Sequence, residues 1–235
     1  MRIGIFGGTG NMGNGMAIRW ANEHEILIGS RSIEKAEKIA KRLSDLARGF
    51  YQAEMEGNIR GVLNTDAARE AEVIVITLPP EVTVSALKDL VEHMHAGQIV
   101  ISTVVPMKRR KGLFYFTPLT GGEIENQDRS AAETVQDIVN PLPVVSAFQT
   151  VPAAYLNNID AILNIDVLIA GDDDLAIALV SKLVRAIPNL RPLRVGPLEN
   201  SKWIESITPL LLNAAVLNGL HDPSIRIVPW MPTGL

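Results

Sequence analysis

The chain has 235 residues, 47% of them apolar and 20% charged, with a net charge of −4. That leaves room for one or two domains with a substantial core, and gives no charge excess to attract nucleic acid or an anionic membrane. Cysteine is absent, which excludes disulfides, thiolate metal sites, iron–sulfur clusters and cysteine nucleophiles. The longest apolar run, around residues 73–78, stops at Pro79-Pro80, far short of the ~20 residues that span a bilayer. The N-terminus does not read as a signal peptide, so the expectation is a soluble, cytoplasmic chain.

In chain order, Arg2-Ile3-Gly4-Ile5-Phe6 reads as a buried strand ending in glycines. Residues 11–22 then read as a helix and 25–29 as a second strand. A long amphipathic helix follows over residues 30–48, where Ser32 offers a hydroxyl cap and Glu34 a first-turn acid. The pattern repeats with a nearly all-apolar strand at 71–78, as a central parallel strand requires. A helix at 82–94 and a strand at 98–105 come next. Between 106 and 129 the regularity fails, with a basic run at Lys108, Arg109, Arg110 and Lys111 and an aromatic one at Phe114-Tyr115-Phe116. Thr120-Gly121-Gly122-Glu123 reads as an exposed turn. A helix at 130–139 precedes strands at 144–148 and 166–170. Asp172, Asp173 and Asp174 open a helix at 175–187, where acids suit its dipole. The last helix, 200–220, is too apolar to be wholly solvated and predicts packing across the sheet or into a partner subunit. Strands alternating with helices of these lengths predict a doubly wound, mostly parallel α/β fold of Rossmann type, with a smaller C-terminal α/β part ending in that apolar helix.

The glycine run carries the chemistry. Gly8-Thr9-Gly10-Asn11-Met12-Gly13 follows a strand and opens a helix, the context a dinucleotide fingerprint needs. Gly8 allows the tight turn, Gly10 lets the backbone approach a pyrophosphate, and Gly13 allows close helix–strand packing. The helix N-terminus then offers N–H groups and positive dipole to phosphate. At the end of the second strand an NAD enzyme normally carries Asp or Glu for the ribose 2′-hydroxyl. This chain has Gly29-Ser30-Arg31 instead. A guanidinium fork and a hydroxyl suit a 2′-phosphate, with Lys35 one turn on, so the expected cofactor is NADP.

Leu78 and Val104 lie at the ends of their strands, where open α/β sheets bind ligands; spacing alone leaves a channel lining and plain strand termination equally open. The four histidines form no constellation, and the sequence holds no His-Glu-x-x-His pair, nucleophile elbow or P-loop lysine. No metal site is expected, and no catalytic constellation stands out. The basic run reads first as a solvated loop, and alternatively as a landing site for an anionic second substrate.

Taken with Asp128-Arg129-Ser130-Ala131-Ala132-Glu133, Val145-Ser146-Ala147-Phe148-Gln149-Thr150-Val151-Pro152-Ala153, Ala170-Gly171-Asp172-Asp173 and Glu205-Ser206-Ile207-Thr208-Pro209-Leu210-Leu211-Leu212-Asn213, these motifs resemble the reduced coenzyme F420:NADP oxidoreductases of archaea and some bacteria. The resemblance implies reversible hydride transfer between nicotinamide C4 of NADP and C5 of the 8-hydroxy-5-deazaflavin F420, stacked ring on ring. Catalysis is then largely proximity, with reacting carbons ~3–3.5 Å apart. It implies NADP contacts at Thr9, Gly10, Asn11, Met12, Ser30, Arg31, Lys35, Leu78, Val104 and Ala153. Gln149, Thr150, Val151, Pro152 and Ala153 would line the ring-stacking site, with a loop near 223–225 closing over the deazaflavin. The basic run would meet the phosphate and glutamyl tail. Gln149 is a departure, since a relative carries His there; the stretch 108–127 and the tail after Val228 are longer than the family pattern.

On this resemblance, residues 1–142 form an NADP-binding Rossmann domain and 143–235 a smaller deazaflavin-binding part packed on it. The expected partners are these two small molecules and a second copy in a homodimer or higher homo-oligomer. Two other readings compete: an NADPH-dependent imine or pyrroline-5-carboxylate-type reductase, and a non-catalytic NADP-sensing module. The single long helix at the C-terminal end counts against the first, whose substrate site is built by a helical dimer domain.

Overall fold

The structure is a computed structural model that describes residues 1–119 and 129–228. The turn expected at 120–123, Asp128 and the tail with Trp230 lie outside the described residues. One eight-stranded sheet organises the chain, in the order β10-β9-β8-β5-β4-β1-β2-β3. Its strands are β1 (Arg2–Phe6), β2 (Glu25–Ser30), β3 (Asn58–Leu63), β4 (Val73–Ile76), β5 (Ile99–Ser102), β8 (Val144–Ser146), β9 (Ile165–Gly171) and β10 (Leu190–Gly196). All neighbours are parallel except β8 and β9. The α/β Rossmann-like sheet expected from the alternating pattern is present, and it runs unbroken past residues 142 and 143.

Central strands are short, apolar and buried: all four residues of β4 are enclosed, as helices on both faces require. Those helices are α1 (Asn11–Trp20), α2 (Ile33–Tyr51), α3 (Asn64–Glu70), α4 (Pro80–Leu90), α5 (Ala131–Val139), α6 (Ala153–Asn157), α7 (Asp174–Arg185) and α8 (Ser201–Asn218). Two apolar clusters fill the two sides, one around Ile3, Ile5, Trp20, Leu43 and Phe148, the other around Phe6, Ile74, Ile76, Leu87 and Val135. Ser32 caps α2 by accepting from Lys35 N. Helix α2 therefore starts at Ile33 rather than at Ser30, which ends β2. Asp173 caps α7 in the same way, accepting from Ala176 N.

Three features lay outside the periodicity. Strand β3 and helix α3 occupy 58–70, where the strand is an edge with a mixed burial pattern and the helix only seven residues long. Strand β10 is the opposite edge, and its Pro192 is tolerated there because an edge strand spares one ladder N–H. The basic run is not irregular. Residues Met107–Arg110 (β6) and Leu113–Phe116 (β7) form an antiparallel hairpin separate from the main sheet. Its turn, Lys111-Gly112, has φ of +49° and +87°, the left-handed pair that matches strand twist in a two-residue hairpin.

Helix α8 packs Ile204 and Ile207 against β9 and β10. Its outer side leaves Trp203, Leu210 and Leu217 each about two-thirds exposed, at 65%, 66% and 69%. Among the described residues no helix is long and apolar enough to cross a membrane.

Candidate functional site

Strand order reverses at β1, whose neighbours are β4 and β2. Open α/β sheets bind ligands outside the carboxyl ends of the strands at such a point. A cleft of about 770 Å³ lies there. The segments after four successive strands build it: Gly7, Thr9, Gly10 and Asn11 after β1, Ser30, Arg31 and Lys35 after β2, Asn64 after β3, and Thr77, Leu78 and Pro79 after β4.

The glycine run takes its shape from sterics. Gly7 has φ +78°, and Gly10 N closes the turn onto Gly7 O at 2.9 Å. At Gly13 an added Cβ would stand 2.6 Å from Gly8 Cα, so α1 packs on the loop only because that position lacks a side chain. Gly10 is the N-cap of α1 and has no side chain to occupy the capping site. The first N–H groups of the helix are thus left to an anion in the cleft. On the facing wall Ser30 Oγ accepts from Ser32 N at 3.3 Å, and that leaves its own proton to donate outward.

Thr9, Gly10, Asn11, Ser30, Arg31, Lys35 and Leu78 are brought together in this one cleft. Gly8 and Gly13 shape the loop from beneath. Met12 packs partly buried against the core. Val104 is buried in the apolar cluster against which Leu78 rests. The remaining candidates form a strained turn beyond β8. Phe148 adopts φ +73°, a region costly for a bulky residue, and Gln149, Thr150 and Val151 are buried behind it. Pro152 N-caps α6, and Ala153 begins it. Gln149 Nε2 donates to Ser102 O and Ser146 Oγ, both at 2.8 Å, while its Oε1 is buried without a partner.

Several residues that sequence reasoning missed hold this turn against the glycine run. Asn157 Nδ2 donates to both Ala153 O and Asn11 O at 2.7 Å. Arg19, buried in α1, donates to the carbonyls of Tyr155, Leu156 and Asn158; burial lowers its pKa. From the C-terminal side, Thr208 Oγ1 donates to Gln149 O at 2.8 Å, and in the loop expected near 223–225 Ser224 Oγ donates to Thr150 O at 2.6 Å. Residues 226 and 227 are tied in turn by Asp166, whose carboxylate accepts from Arg191 and Ile227 N and forms an ion pair with Arg226. Apart from the bond from Asn157 to Ala153 within α6, these are long-range pairings, which carry no local sequence signal.

Residues 2–106 match the family model described as NADP oxidoreductase, coenzyme F420-dependent. The chain is 38% identical over 231 residues to an F420-dependent NADP reductase of Methanocaldococcus jannaschii, covering 97% of this chain and 98% of the relative. It is 33% identical to an F420-dependent NADP reductase of Methanothermobacter marburgensis, with coverage of 97% and 98%. Among solved structures, a putative F420-dependent NADP reductase from Arthrobacter shares the fold, with a TM-score of 0.73 at 21% identity over 96% of this chain and 98% of that one. A pyrroline-5-carboxylate reductase from Coxiella burnetii shares it more loosely, with a TM-score of 0.53 at 15% identity, over 94% and 72%. Identity of this level along almost the whole chain places the protein in the family of F420-dependent NADP reductases.

Proposed function

We propose that the protein catalyses reversible hydride transfer between NADP(H) and the deazaflavin coenzyme F420. One observation carries the dinucleotide half: an uncapped helix N-terminus behind a glycine turn faces Ser30, Arg31 and Lys35 across a single cleft. Family membership carries the deazaflavin half. When bound, the two carriers supply the redox chemistry themselves, a hydride passing between nicotinamide C4 and deazaflavin C5. The task of the chain is to bind, align and exclude water.

In this reading Gly10, Asn11 and Met12 meet the pyrophosphate with backbone N–H groups, and Gly8 and Gly13 permit the approach. Ser30, Arg31 and Lys35 take the 2′-phosphate, and Thr9, Leu78 and Val104 border the path towards the nicotinamide. The turn of Gln149, Thr150, Val151, Pro152 and Ala153 forms the ring-stacking wall. Arg19, Asn157, Thr208 and Ser224 fix that wall, so a stacked geometry requires no reorganisation when the carriers arrive. The functional division follows: residues 1–142 serve NADP and 143–235 the deazaflavin.

The basic hairpin supports an approach path for an anionic carrier. Lys108, Arg109, Arg110 and Lys111 are all exposed, and none forms an ion pair among the described residues. The exposed stripe of Trp203, Leu210 and Leu217 on α8 supports a homodimer, since single apolar side chains scatter whereas a seven-residue repeat on one helix makes a seam. Action in the cytoplasm belongs to the same reading. The experiment is direct: mix the full chain with NADPH and oxidised deazaflavin and follow loss of the ~420 nm absorbance that the flat, conjugated carrier gives up on accepting a hydride. Tight NADPH binding with no turnover would make the chain a sensing module. Reduction of a cyclic imine in place of the deazaflavin would make it an imine reductase.

A further inference from the structure

One side chain in the dinucleotide cleft has a buried acceptor with no partner among the described residues. Asn64 follows β3 directly, beside the end of β2, where Ser30 pairs with Leu63. It borders the cleft together with Gly29, Ser30 and Arg31. Its Oδ1 is buried without a hydrogen bond, and neither end of its amide is bonded among the described residues. A buried, unmet acceptor carries a desolvation cost, so one kept at a ligand cleft points to a donor on the ligand. The oxygen lies close over Gly29: a Cβ at that position would stand 2.6 Å from Asn64 Oδ1. Any side chain at 29 would displace the amide.

The chemistry of the missing donor follows from the position. At the end of β2 a dinucleotide fold that takes NAD presents a carboxylate to the ribose hydroxyls. Here that place is held by Gly29 and Ser30, and an acceptor reaches it from the neighbouring strand as a neutral amide. A 2′-phosphate has no proton to donate near neutral pH, whereas the ribose 3′-hydroxyl beside it does. A carboxylate there would bond the hydroxyl but repel the phosphate. We propose that Asn64 Oδ1, lying over Gly29, accepts the 3′-hydroxyl of the adenosine ribose and so supplies the ribose contact of an NAD site without its charge. This assignment rests on the reading of the cleft as an NADP site.

The test is direct binding. The full chain and its Asn64→Ala and Asn64→Asp variants are titrated with NADPH and with NADH, following nicotinamide fluorescence, and the Tm of each ligand-free protein is recorded. Asn64→Ala is expected to raise both Kd values by the same factor, about three- to tenfold for one neutral hydrogen bond, with the ligand-free Tm unchanged or higher because an unmet acceptor is gone. Asn64→Asp is expected to weaken NADPH more than NADH, since it restores the carboxylate. Unchanged Kd values in Asn64→Ala would overturn the assignment. So would a fall in ligand-free Tm, which marks a structural role, or a loss confined to NADPH, which would put the contact on the phosphate. A wild-type chain that binds no NADPH would overturn the underlying reading of the cleft, and the proposal with it.

Discussion

Asn213 in α8 pairs with Phe114 in the basic hairpin through both ends of its amide: Oδ1 accepts from Phe114 N at 2.7 Å and Nδ2 donates to Phe114 O at 2.8 Å. One side chain thereby satisfies the outward N–H and C=O of a strand edge that would otherwise be a template for association. The same helix holds the turn at Gln149 through Thr208, five residues earlier. Asn213→Leu removes both bonds, and the expected loss is about 1–3 kcal/mol in chemical denaturation. NADPH affinity should not change, because α8 does not border the dinucleotide cleft. Unaltered stability would mean that the hairpin is held by its apolar contacts alone.

Glu205 fixes a pH dependence. Its side chain is fully buried between α8 and the start of α5, where Ala131 N and Ala132 N donate to its two oxygens at 2.8 and 3.1 Å. Burial outweighs those donors and raises its pKa to about 8 from an ordinary 4.5. The folded protein therefore holds this proton more tightly than the unfolded chain does. Its contribution to stability is complete below pH 4.5 and is lost as pH rises through about 8, a cost on the order of a few kcal/mol. Thermal unfolding from pH 5 to 9 should show the decline, and Glu205→Gln should flatten it. A variant as pH-sensitive as wild type would assign the slope to another group.

On the proposed reading, Arg31 sets cofactor choice. Arg31→Ala should weaken NADPH binding by about 1.5–3 kcal/mol, the loss of a charge-assisted bidentate contact, and leave NADH nearly unaffected. Paired titrations with the two cofactors measure it. Equal losses would count against the 2′-phosphate assignment.

Lys108 and Arg110 alternate with Arg109 along β6 and so share one face of the hairpin. Reversing both to glutamate should raise the deazaflavin KM on the order of tenfold at low salt. The difference should shrink as the screening length falls below about 8 Å, with the NADPH KM unchanged. A deazaflavin KM that ignores both the substitution and the salt would remove the hairpin from substrate capture.

Leu210 lies at the centre of the exposed stripe on α8. Leu210→Glu should convert a dimer into a monomer in light scattering at micromolar concentration, since a buried unpaired carboxylate is not tolerated at a seam. A monomeric wild type would sink the dimer reading.

The division between sequence and structure runs along contact distance. The glycine run, the Ser30-Arg31 pair, the buried central strands and the caps at Ser32 and Asp173 are local: spacing within a few residues sets the turn, the helix start and the face that is buried, so they could be read in order from the chain. Tertiary structure decided what local pattern cannot encode. Lys111-Gly112 folds the basic run into a hairpin because β6 and β7 find each other and Asn213 covers the free edge, 99 residues away. The edge strands β3 and β10 have little apolar alternation to announce them, since only part of each is buried. Asn157 meets Asn11, Thr208 meets Gln149 and Glu205 meets α5 across separations the periodicity does not sense. Asn64 gained its meaning only when the sheet set its amide over Gly29. The sequence alone thus determined the glycine turn and the Ser30-Arg31 pair beside it, because both are local in the chain. Packing decided what stands opposite them, because the far wall of the site is assembled from segments that meet only in the folded chain.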